Sequence, residues 1–320
     1  MKPVPTDLLH GPFTRAAARD AGVTHQMLRG KRFARVYEGV WRHRDHEMTF
    51  EDSIEAARLA LPWDAWLTGI TRIQLLGLDF GPRFPLRFVV ARDLHLELEG
   101  VFLHRTVRMP PRDDIGVSVP AAYVAYCSLA RVIDAIKVGD WLLRNAHLER
   151  DQLQAFCLEQ RWRAGADEAL WALGHLDGDS WSLKESEMRA VLEFAGLEVP
   201  EVNRGAGGPD DEARIGDLVY RRWGLVVEYE GEHHQLDRRQ FVKDIDRYSS
   251  MRRDSVPYVQ VTKEKLARPR RMVGEVYAAL VALGYDGPPP EFGERWKQLF
   301  MRLADVVAAE RRWLRVGSRG

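Results

Sequence analysis

Cysteine is nearly missing from this chain, whose 320 residues contain only Cys127 and Cys157. Both stand in apolar, helical-looking surroundings without metal-ligand partners, so two buried thiols are expected and a disulfide framework is not. There is no paired C-x-x-C zinc signature, no G-x-x-x-x-G-K-[ST] phosphate loop and no G-x-G-x-x-G following a strand. Nucleotide hydrolysis therefore has no support in the sequence. Also lacking are a run of about eighteen apolar residues and a hydrophobic signal core in the opening MKPVPTDLLHGPF. No membrane partner is expected, and the expected location is the cytoplasm. Charge of one sign is not in excess, since 47 Lys/Arg balance 47 Asp/Glu. With 45% hydrophobic and 29% charged residues, the chain is long enough for two or three domains with proper cores.

The charge is balanced in sum and uneven in place. Residues 1–46 carry nine Lys/Arg against four Asp/Glu, residues 237–271 carry eleven against five, and residues 146–236 carry nine against nineteen. A basic flank beside an acidic centre suits metal-mediated contact with phosphate, and equally suits an ordinary surface of interspersed charge.

The acidic centre holds the most informative stretch, IGDLVYRRWGLVVEYEGEHH, residues 215–234. Two short apolar runs flank RRWG, a connector ending in glycine that reads as the turn of a β-hairpin. Pairing Tyr220 with Leu225 sets Asp217 opposite Glu228. Side chains alternate along a strand, so Glu228 and Glu230 share a face while Val227 and Tyr229 point into the core. Three carboxylates then converge, the facing pair with Cβ atoms about 4.5–5.5 Å apart, which is repulsive unless neutralised. Mg²⁺ or Mn²⁺ neutralises such a cluster, taking oxygen ligands and leaving positions for water and a phosphate. The alternative is a solvated acidic hairpin whose carboxylates pair with nearby arginines.

Asp217, ten intervening residues, Glu228-Tyr229-Glu230-Gly231 and then His233-His234 resemble the core of the very-short-patch-repair-like endonucleases, within the restriction-endonuclease-like PD-(D/E)XK superfamily. Upstream, SLKESEMRAVLEFAGLEVPEVN is similar to the family's opening helix, with its glutamate, small hydroxyl residue and arginine at Glu185, Ser186 and Arg189. Downstream, KDIDRYSSMRRDSVPYVQVT resembles the second helix and returning strand, with aspartate and arginine at Asp244, Asp246 and Arg247. The resemblance covers residues 180–285. It implies an αβββαβ domain in which Asp217, Glu228 and Glu230 bind a metal and DNA phosphodiesters are cut.

One position departs from the superfamily pattern. Lysine usually stands two residues after the second acidic residue, where this chain has Glu230. A carboxylate cannot stabilise developing negative charge as a cation does, so the metal would carry more of that work. Lys243, His233 or His234 would then supply proton transfer or positive charge. A strand-end turn held by imidazole hydrogen bonds accounts equally for the histidine pair. Glu185 also has two readings, as the acidic member of an S-x-x-E capping box begun at Ser182 or as an outer ligand facing the hairpin. Asp244 and Arg247 lie at i and i+3 of an expected helix, where an ion pair is the ordinary explanation. At most they support the ligands from behind.

The basic amino terminus reads as a short helix over 13–21, a break at Gly22, and a second short helix capped by Thr24 and running to Leu28. RFARVYEGVWRH follows as a two-stranded wing turning near Glu38-Gly39. The segment resembles the winged helix-turn-helix of AbiEi-type antitoxin proteins. That resemblance implies a second helix in the DNA major groove, with His25, Gln26 and Arg29 facing bases or phosphates. Arg32, Arg35 and Arg42 would touch the backbone and add salt-dependent affinity. Helix-turn-helix folds also serve as protein–protein modules.

Between these regions, 54–78 has helical apolar spacing, PLRFVVARD and GVFLHRTV read as strands, and YVAYCSLARVIDAIKVGDWLL as helix. The tail after 287–290 reads as a helix that docks on the nuclease-like domain or on another subunit, as in a homo-oligomer. The expected fold class is multidomain α/β: a winged helix at 1–46, a mixed α/β region at 47–175, a restriction-endonuclease-like domain at 176–286 and a terminal helix at 287–320. Two functions follow, a Mg²⁺- or Mn²⁺-dependent DNA endonuclease, or an antitoxin-type DNA-binding regulator whose nuclease-like domain is inactive. An RNA substrate stays open, because phosphodiester chemistry is shared.

Overall fold

In the computed structural model, which describes residues 4–205, 215–230 and 256–317, two threonines start the first helices. Thr14 accepts the Ala17 N–H at 3.1 Å and Thr24 the Met27 N–H at 3.3 Å, each satisfying a backbone donor that the helix cannot. The helices are α1 (Arg15–Asp20) and α2 (His25–Leu28). After them come the wing strands β2 (Phe33–Tyr37) and β3 (Val40–His43), turning at Glu38-Gly39. The first helix is shorter than its sequence pattern because Phe13 belongs to a strand, β1 (Pro12–Thr14), that pairs antiparallel with β3. Phe13 meets the Phe33 ring edge-on at 5.8 Å and joins Ala18, Val23 and Leu28 in a small core.

The chain divides into two units, 1–123 and 124–320, and the fold is multidomain α/β. The rest of the first unit contains α3 (Phe50–Ala60), begun by a reciprocal capping box between Thr49 and Asp52, and α4 (Gly69–Gln74). Its second sheet runs β4 (Trp66–Leu67), β5 (Leu86–Val90), β6 (Val101–Arg105), with the two strands read from sequence, β5 and β6, parallel. A helix, α5 (Val119–Cys127), leads into the second unit.

That unit opens with α6 (Val132–Arg144), α7 (Arg150–Glu159), α8 (Ala166–Leu173) and α9 (Leu183–Phe194). A four-stranded sheet follows: β7 (Glu201–Gly205), β8 (Ile215–Tyr220), β9 (Leu225–Glu230) and β10 (Tyr258–Thr262), in the order β10-β9-β8-β7. Strands β7, β8 and β9 are antiparallel neighbours, whereas β10 lies parallel to β9. Parallel pairing requires a crossover of about a dozen residues or more, and residues 231–257 are enough for one. The second helix expected there lies outside the described residues. Short α10 (Lys263–Leu266) then leads to α11 (Pro269–Ala282), which packs on β9, β10 and α9.

The tail forms α12 (Glu294–Gln298) and α13 (Leu303–Gly317). Leu303, Val306 and Val307 are buried, α13 packs on α8, and Trp171 Nε1 donates to Glu310 at 2.9 Å. The terminal helix thus docks on its own chain.

Candidate functional site

The hairpin register is the one that the apolar runs imply. Tyr220 pairs with Leu225, Val219 with Val226 and Leu218 with Val227. Arg221–Trp223 make a single 3₁₀ turn, and Gly224 closes it in left-handed backbone (φ +66°), a conformation that glycine adopts without a side-chain penalty. The connector's arginines are committed to its flanks, Arg221 to Glu201 through two guanidinium nitrogens and Arg222 to Asp286 at 2.6 Å.

The recorded pairing ends at Leu218 and Val227, and Asp217 and Glu228 are the next residues on their strands. Asp217 Oδ2 accepts the Tyr229 backbone N–H at 2.7 Å, which ties the start of β8 to the end of β9. Glu228 is wholly buried (0% exposed), as are Leu225, Val226 and Val227. Strand β9 is covered on both faces, as central strands are, so Glu228 does not belong to a solvated acidic hairpin. Glu230 is exposed at the strand end, beside Thr262 of β10. Gly216 makes room for Val226 and Glu228: a Cβ there would overlap Val226 Cγ1 and stand 3.3 Å from Glu228 Oε1.

Glu185 is buried at the start of α9. Its backbone N–H donates to Ser182 Oγ at 3.1 Å, and its Oε2 accepts the Trp181 N–H and the Asn203 amide, each at 2.8 Å. The capping function is therefore present, with the return bond falling on Trp181. Asn203, absent from the residues that the sequence pattern singles out, connects this helix end to the sheet. Val202 pairs with Leu218 and Arg204 with Gly216, so Asn203 stands across from Asp217. It occupies left-handed backbone (φ +50°) and also donates to Asp179 O at 2.6 Å. The sequence signal is an asparagine inside a strand, where propensity disfavours it.

Arg189, one turn after Glu185, points to the helical layer. It donates to Asp140 Oδ2 at 2.9 Å, to His175 O at 2.7 Å and to Glu193 at 3.4 Å. Burial pushes the Asp140 carboxyl up to about 6 against the pull of this guanidinium. Ser186 is buried on the same helix.

The donor chemistry suits a hard divalent cation, because Asp217, Glu228 and Glu230 offer only carboxylate oxygen. Among the described residues no three His, Cys, Asp or Glu side chains are grouped to hold a metal ion. Asp217 and Glu228, at the same end of the hairpin, offer two carboxylates, the number that Mg²⁺ commonly takes from protein while water and phosphate fill its other positions. His233, His234, Lys243, Asp244 and Arg247 lie outside the described residues.

On the amino-terminal unit, His25, Gln26, Arg29 and Arg35 are exposed. Helix α2 has four residues, about 6 Å of axis at 1.5 Å per residue, so it reaches few base pairs. Arg32 is half-buried with its guanidinium 5.9 Å from the Phe33 ring. Arg42 is half-buried, and its Nη1 donates to the carbonyls of His43, Arg44 and His46 at 3.1, 2.9 and 2.6 Å. It closes the loop after β3.

No helix among the described residues is long and apolar enough to cross a membrane. No family model matches the chain, and no solved structure matches it. An uncharacterised protein of Mycobacterium tuberculosis, in strain CDC 1551 / Oshkosh and in strain ATCC 25618 / H37Rv, is 26% identical to it over 143 residues. The match takes in 44% of this chain, and the chain spans about half (53%) of the length of these curated relatives.

Proposed function

We propose that this chain is a metal-dependent DNA endonuclease that hydrolyses phosphodiester bonds, with an amino-terminal module that holds the duplex. The observation that carries the reading is the wholly buried Glu228 carboxylate at the end of the β8–β9 hairpin, where Asp217 accepts the neighbouring Tyr229 N–H. Two carboxylates at one hairpin end, one of them wholly buried, favour a bound cation. A bound Mg²⁺ or Mn²⁺ supplies charge stabilisation at phosphorus and a water of lowered pKa. Asp217 and Glu228 hold that ion, and Asp217 is itself oriented by the Tyr229 N–H. Glu230, two residues on along the same face, positions the attacking water. Asn203, anchored by Glu185, fixes the strand beside Asp217. The exposed His25, Gln26, Arg29 and Arg35 would contact DNA. Buried thiols at Cys127 and Cys157 support a cytoplasmic location.

Nicking of supercoiled plasmid by the purified chain in Mg²⁺, Mn²⁺ or EDTA tests the reading. Cleavage should need metal and fall by about 100-fold or more in Asp217→Asn and Glu228→Gln. Undiminished cleavage by both variants would remove these residues from the site.

Glu230 in the position of the superfamily's lysine favours a second reading, a DNA-binding regulator with a silent nuclease-like domain. It requires sequence-specific duplex binding that persists in EDTA and is lost with Arg29→Ala or Arg35→Ala, together with no cleavage in any metal.

A further inference from the structure

Arginine and aromatic side chains meet where α11 begins. Arg268, Pro269, Arg270 and Arg271 line an open groove of about 390 Å³ with Trp296 and Phe300. All three arginines are exposed. Arg271 donates to Glu275 at 3.1 Å, while Arg268 and Arg270 have no acidic partner among the described residues. The Arg270 guanidinium lies 5.3 Å from the centre of the Phe292 ring, an approach that orients a cation without neutralising it. Arg268 and Arg270, two residues apart and without the compensation that Glu275 gives Arg271, repel one another, and a polyanion laid along them relieves the repulsion. Lysine-like point charges would fit any anion, whereas planar guanidinium groups beside an exposed phenyl ring fit phosphates alternating with flat bases.

The groove also stands at the right end of the sheet. Strands β9 and β10 are parallel and terminate together at Glu230 and Thr262. Arg268 follows Thr262 by six residues, at most about 20 Å of chain, or on the order of six base pairs of duplex at 3.4 Å each. The amino-terminal end of α11 adds a field of the same sign.

We infer that this groove binds the sugar–phosphate backbone of a nucleic acid, with Arg268 and Arg270 on neighbouring phosphates and Phe300 against a sugar or base. The inference deepens the proposed function and rests on it for the choice of nucleic acid over other polyanions.

The test is equilibrium binding of a labelled duplex and its single strand to the full chain in EDTA, as a function of salt. It is run in an Arg29→Ala/Arg35→Ala background, so that the amino-terminal module does not mask the groove. Arg268→Ala/Arg270→Ala should flatten the salt dependence by about 0.9 in log–log slope for each duplex phosphate no longer neutralised, and weaken binding roughly 10- to 50-fold near 0.1 M salt. Arg83→Ala/Arg161→Ala, removing equal charge from other exposed positions, should leave both unchanged. Unaltered slope and affinity on duplex and single strand alike would overturn the inference, as would competition by polyglutamate at the strength of nucleic acid. Asp217→Asn should keep groove-dependent binding and lose cleavage. Groove-dependent binding without cleavage by the unaltered chain would sink the nuclease reading and leave the groove standing.

Discussion

Asp140 and Arg189 form an ion pair with side chains 0% and 3% exposed. Charges so buried are least costly when their remaining hydrogen-bonding capacity is met, and here most of it is, with Arg189 Nε left without a partner among the described residues. Asp140 Oδ1 accepts the Asp177 N–H at 2.6 Å, and Arg189 reaches the His175 carbonyl. Burial still pushes the Asp140 carboxyl up to about 6, above an unfolded value of about 3.9. Between these values the folded state binds more protons than the unfolded one. This group therefore makes stability fall as pH rises from about 4 to 6 and leaves it level beyond. An NMR titration of the Asp140 carboxyl should show its midpoint near 6; a midpoint below the ordinary aspartate range would mean that Arg189 outweighs burial. Sequence alone could not separate Glu185 from Arg189. They are i and i+4 on one helix face, yet Glu185 meets the sheet through Asn203 and Arg189 meets α6 through Asp140.

The β8–β9 hairpin was legible because alternation, a glycine-ended connector and two short apolar runs all act within a few residues. Its paired positions follow from that local pattern. Its cover does not, since α9 and α11 are distant in sequence. Gly216 shows the consequence at the level of the element. An added Cβ would overlap Val226 Cγ1 and sit 3.2 Å from Val219 Cγ2, and both valines are fully buried in packing that yields little. Gly216→Ala should cost about 1–3 kcal/mol in urea unfolding and displace Glu228. A loss below about 0.5 kcal/mol, the range of ordinary surface changes, would show that the strands part easily. The first strand was hidden for a similar reason. Phe13 has the local pattern of a helix start, and only β3, distant in sequence, offers it a strand partner.

Two units carry separate cores, one containing Phe13, Val23 and Phe33 and another built on Val219 and Val226. Differential scanning calorimetry should resolve them as two transitions. Loss of the α2 cap in Thr24→Ala, about 1 kcal/mol, should lower one transition. Asp140→Ala, which leaves Arg189 buried without its partner and costs about 3–5 kcal/mol, should lower the other. A single transition shifted by both substitutions would show the units unfolding together. Composition, caps and periodicity by themselves determined the mixed α/β character, the wing after two short helices, and Tyr220 facing Leu225, because each depends on neighbours in sequence. Only the tertiary structure decided that Glu228 is buried while Glu230 is exposed, that Asn203 comes to stand across from Asp217, and that arginines of α11 gather on an aromatic groove. Those outcomes depend on which distant segments cover a strand end, and a local pattern carries no record of them.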